Sequence, residues 1–303
     1  MLAAALAAAL SFSPADAGRA FSAASALVER HTPRDAGTRR GRLAAEWILD
    51  SASAAGLDAR LDVFTAQTPK GMRSLANVEA RLDCGDGGSW AVLVSHFDTK
   101  PGTQCPGAND GASTTGLLLA LAESAASQRL QGVNILFIWT DGEECMESYA
   151  PDDGLWGARR AAARLAESGL PVAGVICLDM LGDRDLAVSV PRNSTPSLAA
   201  AAVAAARSLP DCAKVAKSSF LVKDDHVPFL ERGFPAIDLI DFDYGPEPGS
   251  NAWWHTPEDT MDKVSEKSLL AAGRLAAALA CAICRQAREK NGTPTGVAHT
   301  AAK

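Results

Sequence analysis

Apolar and polar positions repeat with two periods along this chain. Apolar residues recur every three to four places over 21–30 and 41–55, the spacing of one helix face. Short β-like runs follow at 57–64, 77–82 and 90–95. Helical patterns at 114–124, 155–167 and 197–208 then alternate with buried-strand runs at 133–140 and 172–179. One helical turn at 227–231, a strand at 236–240 and a long helix at 265–289 close the chain. VNILFIW (133–139) and VAGVICL (172–178) are nearly continuous in apolar residues, as expected of parallel strands buried on both faces. This alternation predicts one three-layer α/β/α domain with a central mixed, mostly parallel sheet. No internal repeat and no Pro/Gly/Ser linker divides it.

Hydrophobic residues make up 47% of the 303 and charged residues 21%, a globular composition that excludes wholesale disorder. The net charge of −7 and the lack of a Lys/Arg tract argue against a nucleic-acid partner. No uninterrupted apolar run reaches the roughly 18 residues that span a bilayer, so no membrane partner is expected. Nothing resembles a coiled coil, and a monomer is expected.

The start, MLAAALAAALSFSPADAG, is Ala/Leu-rich and leads to the small-x-small triplet Ala15-Asp16-Ala17. It reads as a signal peptide over 1–17, although no basic residue precedes Arg19, and implies a secreted or periplasmic protein. The domain then runs over 18–290, and 291–303 reads as a loose polar tail. Seven cysteines are too few for a disulfide scaffold. Cys281 and Cys284 read as packed thiols on a helix, and Cys105 with Cys145 is the one candidate bridge.

In an open α/β sheet, chemistry gathers at the carboxyl ends of the strands. Those ends deliver His96 and Asp98, the pair Glu143-Glu144, Asp179, and His255 through a loop; Asp110 adds a carboxylate just before a helix. A Glu-Glu pair or a lone histidine is ordinary in a loop, and His226 near Pro228 reads as structural. Two imidazoles and several carboxylates converging together suit a zinc site with an open position. Asp98 can orient His96 from behind. Extended backbone at 143–144 would turn the two glutamates to opposite sides, one toward metal and one toward substrate as acid/base.

These residues sit in SHFDTK (95–100), GANDGAS (107–113), DGEE (141–144), LDM (178–180) and WHT (254–256), which together resemble the zinc aminopeptidase superfamily. FTAQTPKGMRSLANV (64–78), EECMESYAPDDGLWGARRAA (143–162) and DDHVPFLERGFPAIDLI (224–240) resemble its glutaminyl-peptide cyclotransferase branch in particular. The resemblance implies one zinc held by Asp110, Glu144 and His255, with Glu143 as acid/base. It places Asp179 and Asp224 hydrogen-bonded beside the metal and Trp254 in the substrate pocket. Tyr149 stands where the cyclases carry a pocket tryptophan, and Ser95 where some have a disulfide cysteine. The loop at 241–252 is longer than in animal cyclases. A cis peptide after Asp110, eased by Gly111, is a further implication.

The expected activity is conversion of the N-terminal glutamine of peptides or proteins to pyroglutamate with release of ammonia. The alternative within the same fold is a two-zinc aminopeptidase, in which His96 and Asp179 join Asp110 around a second ion. A non-catalytic binding ectodomain is a third reading, disfavoured because every ligand is retained.

Overall fold

The computed structural model describes residues 10–85, 87–128, 130–209 and 215–290; Cys212, His299 and the tail expected at 291–303 lie outside them. Helices α1 (Pro14–His31) and α2 (Arg39–Ala54) precede the hairpin of β1 (Asp58–Thr68) and β2 (Gly71–Leu82). Then come β3 (Trp90–His96), α3 (Thr114–Ser127), β4 (Asn134–Thr140), α4 (Trp156–Ser168) and β5 (Val172–Asp179). The rest is β6 (Val188–Val190), α5 (Pro196–Ser208), β7 (Val215–Lys217), α6 (His226–Glu231), β8 (Ala236–Ile240) and α7 (Glu266–Lys290).

The strands form one mixed sheet in the order β1-β2-β4-β3-β5-β8-β6-β7. Its centre, β4-β3-β5-β8, is parallel throughout, whereas β1, β2 and β4 pair antiparallel and β6 meets β8 antiparallel. Every residue of β3 and β4 is buried, which is why those segments read as apolar runs. One face packs on α1, α2, α3, α5 and α7 around Leu93, Phe137 and Ile176. The other packs on α4 and α6 around Val92, Val94, Leu136 and Phe229. Each such side chain removed from water contributes about 1.5–3 kcal/mol. The hairpin is longer than its apolar pattern, because the outer ends of both strands leave the core. β6 and β7 have three residues each, too short for any period to register.

The structure gives residues 10–17 a place in the domain. Ser13 caps α1 through a capping box with Asp16, and Pro14 opens the first turn. Leu10 and Phe12 are buried, the Leu10 N–H reaches Cys281 Sγ (3.3 Å), and the Phe12 ring lies against Gly273 of α7. The boundary expected after Ala17 therefore cuts through a packed helix. Helix α7 is long and apolar enough to cross a bilayer, but most of it is buried against α1, α5, β3 and β5.

Candidate active site

The parallel strands β3, β4, β5 and β8 end on one edge of the sheet, and the residues singled out in the sequence gather there. β3 ends at His96, with buried Asp98 two residues on; β4 runs into Asp141–Glu144; β5 ends at Asp179. Asp110 lies in the turn at 108–113 that enters α3, where Asp110 (φ −82°, ψ 97°) and Gly111 (φ +92°) leave the helical path. A Cβ on Gly111 would stand 3.0 Å from both His96 Cε1 and the Asp98 carbonyl oxygen, so only glycine fits. The cis peptide expected after Asp110 is not found. Among the described residues the cis bond is Thr32–Pro33, and the positive φ of Gly111 makes the turn instead.

Three groups that the sequence reading passed over hold Asp110 in place. Asp259 accepts the N–H groups of Asn109 (2.7 Å) and Asp110 (3.2 Å) and the Tyr244 hydroxyl (2.7 Å). Asn109 Oδ1 accepts the Gly182 N–H at 2.8 Å. The guanidinium of fully buried Arg34 donates to the carbonyls of Phe97, Pro106 (2.7 Å) and Gly107 (2.7 Å), tying down the preceding loop. Asp259 follows WHT by three positions, which is the only signal the sequence offered for it.

Asp110 faces two imidazoles. Its Oδ1 is 3.1 Å from His96 Nε2 and its Oδ2 is 3.4 Å from His255 Nε2. His255 Nε2 also lies 2.8 Å from Glu144 Oε1, and His96 Nε2 lies 3.2 Å from Asp179 Oδ1. Asp110 joins two groups of three donors, Asp110–Glu144–His255 and His96–Asp110–Asp179, each with its ligand atoms within 4.8 Å of one another; Cys177, Asp224 and Asp238 form a third.

Of the two that share Asp110, only the first fits a cation on its own evidence. Asp110 Oδ2 and His255 Nε2 are buried without a hydrogen-bond partner and face one another at 3.4 Å. His96 Nε2, in contrast, is already spent on Asp110 and Asp179. The electrostatics agree. Burial alone would lower the His255 pKa, but the carboxylates of Asp110 and Glu144 outweigh it and push it up to about 9. Burial opposes ionisation of Asp110, yet His255 and His96 hold it well below the ordinary range. Carboxylate, carboxylate and imidazole are donors that zinc accepts in catalytic sites.

Glu143 and Glu144, expected on opposite sides of the segment, reach the same cavity. Gly142 just before them takes φ +80°, and Asp98 accepts both N–H groups, from Glu143 at 3.1 Å and from Glu144 at 3.2 Å. Both side chains line one cavity of about 220 Å³, with Asp110, Asp179, Asp224, Tyr149, Trp254 and His255. Burial and the neighbouring Glu144 hold the Glu143 carboxyl well above the usual glutamate range. Asp98 also lies 3.5 Å from His96 Nδ1.

Asp179 meets His96, and burial pushes its carboxyl up to about 7 against that contact. Asp224 accepts the Asp225 N–H and the Cys177 thiol (3.4 Å). Trp254 stacks on His255 with ring centroids 3.8 Å apart and lines the pocket wall. Cys105 and Cys145 are both free thiols, which removes the candidate bridge. Cys105 Sγ lies 3.7 Å from Asp259, while Cys145 Sγ takes the Lys100 ammonium at 2.8 Å, so each has its own partner.

An α/β/α fold with a carboxylate–imidazole centre at the ends of its parallel strands defines a metallopeptidase-like enzyme class. The chain belongs to peptidase family M28, whose model matches residues 77–280. Within it, the similarity is to glutaminyl-peptide cyclotransferases. The Drosophila melanogaster glutaminyl-peptide cyclotransferase is 28% identical over 261 residues, 77% of this chain and 72% of that one. The Bos taurus glutaminyl-peptide cyclotransferase-like protein is 31% identical over 269 residues, 77% of this chain and 67% of that one. Among solved structures, the Acidobacteriales bacterium glutaminyl cyclase superposes with a TM-score of 0.86 at 33% identity, covering 94% of this chain and 99% of that one. A Bacteroides thetaiotaomicron leucine aminopeptidase precursor shares the fold at 19% identity and TM-score 0.77, covering 90% of this chain and 98% of that one.

Proposed function

We propose that this protein is a glutaminyl-peptide cyclotransferase that closes N-terminal glutamine into pyroglutamate, using one zinc ion held by Asp110, Glu144 and His255. The observation that carries the metal assignment is the pair of orphaned buried atoms, Asp110 Oδ2 and His255 Nε2, facing Glu144 Oε1. The similarity to named cyclotransferases along most of the chain supports the activity.

Zinc held by Asp110, Glu144 and His255 would supply Lewis acidity toward a carboxamide. Glu143, beside Glu144 and facing the same cavity, takes a proton from the attacking α-amine and returns it to the departing nitrogen. The attack is intramolecular, so the protein's main task is to hold the glutamine folded on itself. The walls from Trp254 and Tyr149 do this, with Asp179 and Asp224 lining the same cavity. No water nucleophile is required.

A two-zinc aminopeptidase is the second reading, because His96, Asp110 and Asp179 form a second donor group. Incubation with a Gln-initiated and a Leu-initiated peptide, followed by mass spectrometry, separates the two. The cyclase reading expects loss of ammonia from the first and no change in the second. Release of free leucine, with two tightly held zinc ions per chain, would overturn it.

A further inference from the structure

The Tyr149 hydroxyl stands 3.2 Å from Glu143 Oε2 and 3.2 Å from Glu144 Oε2, and is within hydrogen-bonding reach of both. A residue that served only as a pocket wall would have no reason to aim its one polar atom between two carboxylates. Two lysines lie against the ring. Lys100 Nζ lies 5.1 Å from its centroid and Lys223 Nζ 5.8 Å from it, contacts in the cation–π range. Lys223 also donates to the carbonyls of Tyr149 (2.6 Å) and Ala150 (2.8 Å). Lys100 reaches Glu144 Oε2 at 3.4 Å, the same oxygen that the tyrosine meets.

The two oxygens of Glu144 are thereby divided. Oε2 is occupied by Tyr149 and Lys100, and Oε1 is left facing His255 at 2.8 Å. We propose that Tyr149 is a positioning residue whose hydroxyl fixes Glu144 so that Oε1 alone is offered to the metal, and holds Glu143 at its side. This rests on the reading of Asp110, Glu144 and His255 as the metal ligands. It assigns the hydroxyl a task that a phenyl ring at this position does not perform, because a phenyl ring puts no donor between the two glutamates. Groups that orient a ligand in this way commonly govern metal affinity by 10–100-fold.

The test uses the full chain with zinc alone as the probe, in chelator competition, beside steady-state kinetics on a Gln-initiated peptide. Tyr149→Phe is expected to weaken zinc binding by ~10-fold or more. It is expected to lower kcat while KM stays within about twofold, the pattern of a lost transition-state arrangement and not of lost substrate contact. The metal-free melting temperature of Tyr149→Phe should match the parent; a large fall there would mark a merely structural role and overturn the proposal. Zinc affinity unchanged in Tyr149→Phe, with an effect on KM only, would also overturn it. Glu144→Gln separates the two levels. If that variant loses zinc while Tyr149→Phe keeps it, only the role of the hydroxyl falls. If Glu144→Gln binds zinc as the parent does, the ligand assignment fails and this inference falls with it.

Discussion

Asp98 and Glu144 meet through the backbone: Asp98 Oδ2 accepts the Glu144 N–H at 3.2 Å, while Oδ1 takes that of Glu143 at 3.1 Å. One fully buried carboxylate thus sets the direction of both glutamates after β4. Asp98→Asn keeps the shape but turns an NH₂ group toward one of those donors. Loss of zinc affinity and of kcat by roughly 10–100-fold is expected, with little change in KM. Metal titration and kinetics on the same preparation check it, and parent-like values in both would exclude this role for Asp98.

Glu143 has a separate prediction, because it faces the cavity without belonging to the proposed ligand set. Glu143→Gln should bind zinc as the parent does and melt at a similar temperature. Its kcat should fall by about 10²–10⁴-fold, the usual share of a general acid/base. Near-parent turnover would show that another group moves the proton.

The strand ends were legible because β3, β4 and β5 are buried on both faces, and their apolar runs stop where Asp98, Asp141 and Asp179 begin. What was not legible depended on backbone turns and on partners distant in sequence. That Glu143 and Glu144 share one cavity depends on how the segment after β4 turns at Gly142, where φ is positive. The role of Asp259 lies in accepting N–H groups about 150 residues earlier in the chain. Cys105 and Cys145 come from converging loops, but their thiols turn to Asp259 and Lys100 and not to each other. The tyrosine at 149 was visible as a wall, whereas its hydroxyl contacts required the fold.

The packing of residues 10–17 makes the start of the chain testable. A chain beginning at residue 18 lacks the Ser13–Asp16 capping box and the buried side chains of Leu10 and Phe12. Losing a cap costs about 1 kcal/mol and each large buried side chain about 1.5–3 kcal/mol, so roughly 4–7 kcal/mol of stability should go. A chain beginning at residue 10 keeps these contacts and should unfold in urea near the full-length midpoint. Equal midpoints for the two truncations would mean that residues 10–17 contribute nothing to the domain.

Asp241, just after β8, gives a pH dependence of definite sign away from the proposed ligands. Its side chain is fully buried, accepting the Ala187 N–H at 2.7 Å and the Asp243 N–H at 3.1 Å. Burial pushes its pKa up to about 7 from 3.8, against those two hydrogen bonds. The folded state therefore holds the proton more tightly than the unfolded chain does. The stability this contributes is complete below about pH 4 and is lost as pH rises through about 7. At 1.36 kcal/mol per pKa unit the loss approaches ~4 kcal/mol. Asp241→Asn is neutral throughout and gives up one acceptor, so it should start ~1 kcal/mol less stable at low pH. Its deficit should shrink and then reverse toward pH 8. Urea midpoints of both proteins, chelator-treated alike and measured from pH 4.5 to 8, check this, and parallel curves would rule out a proton held by Asp241.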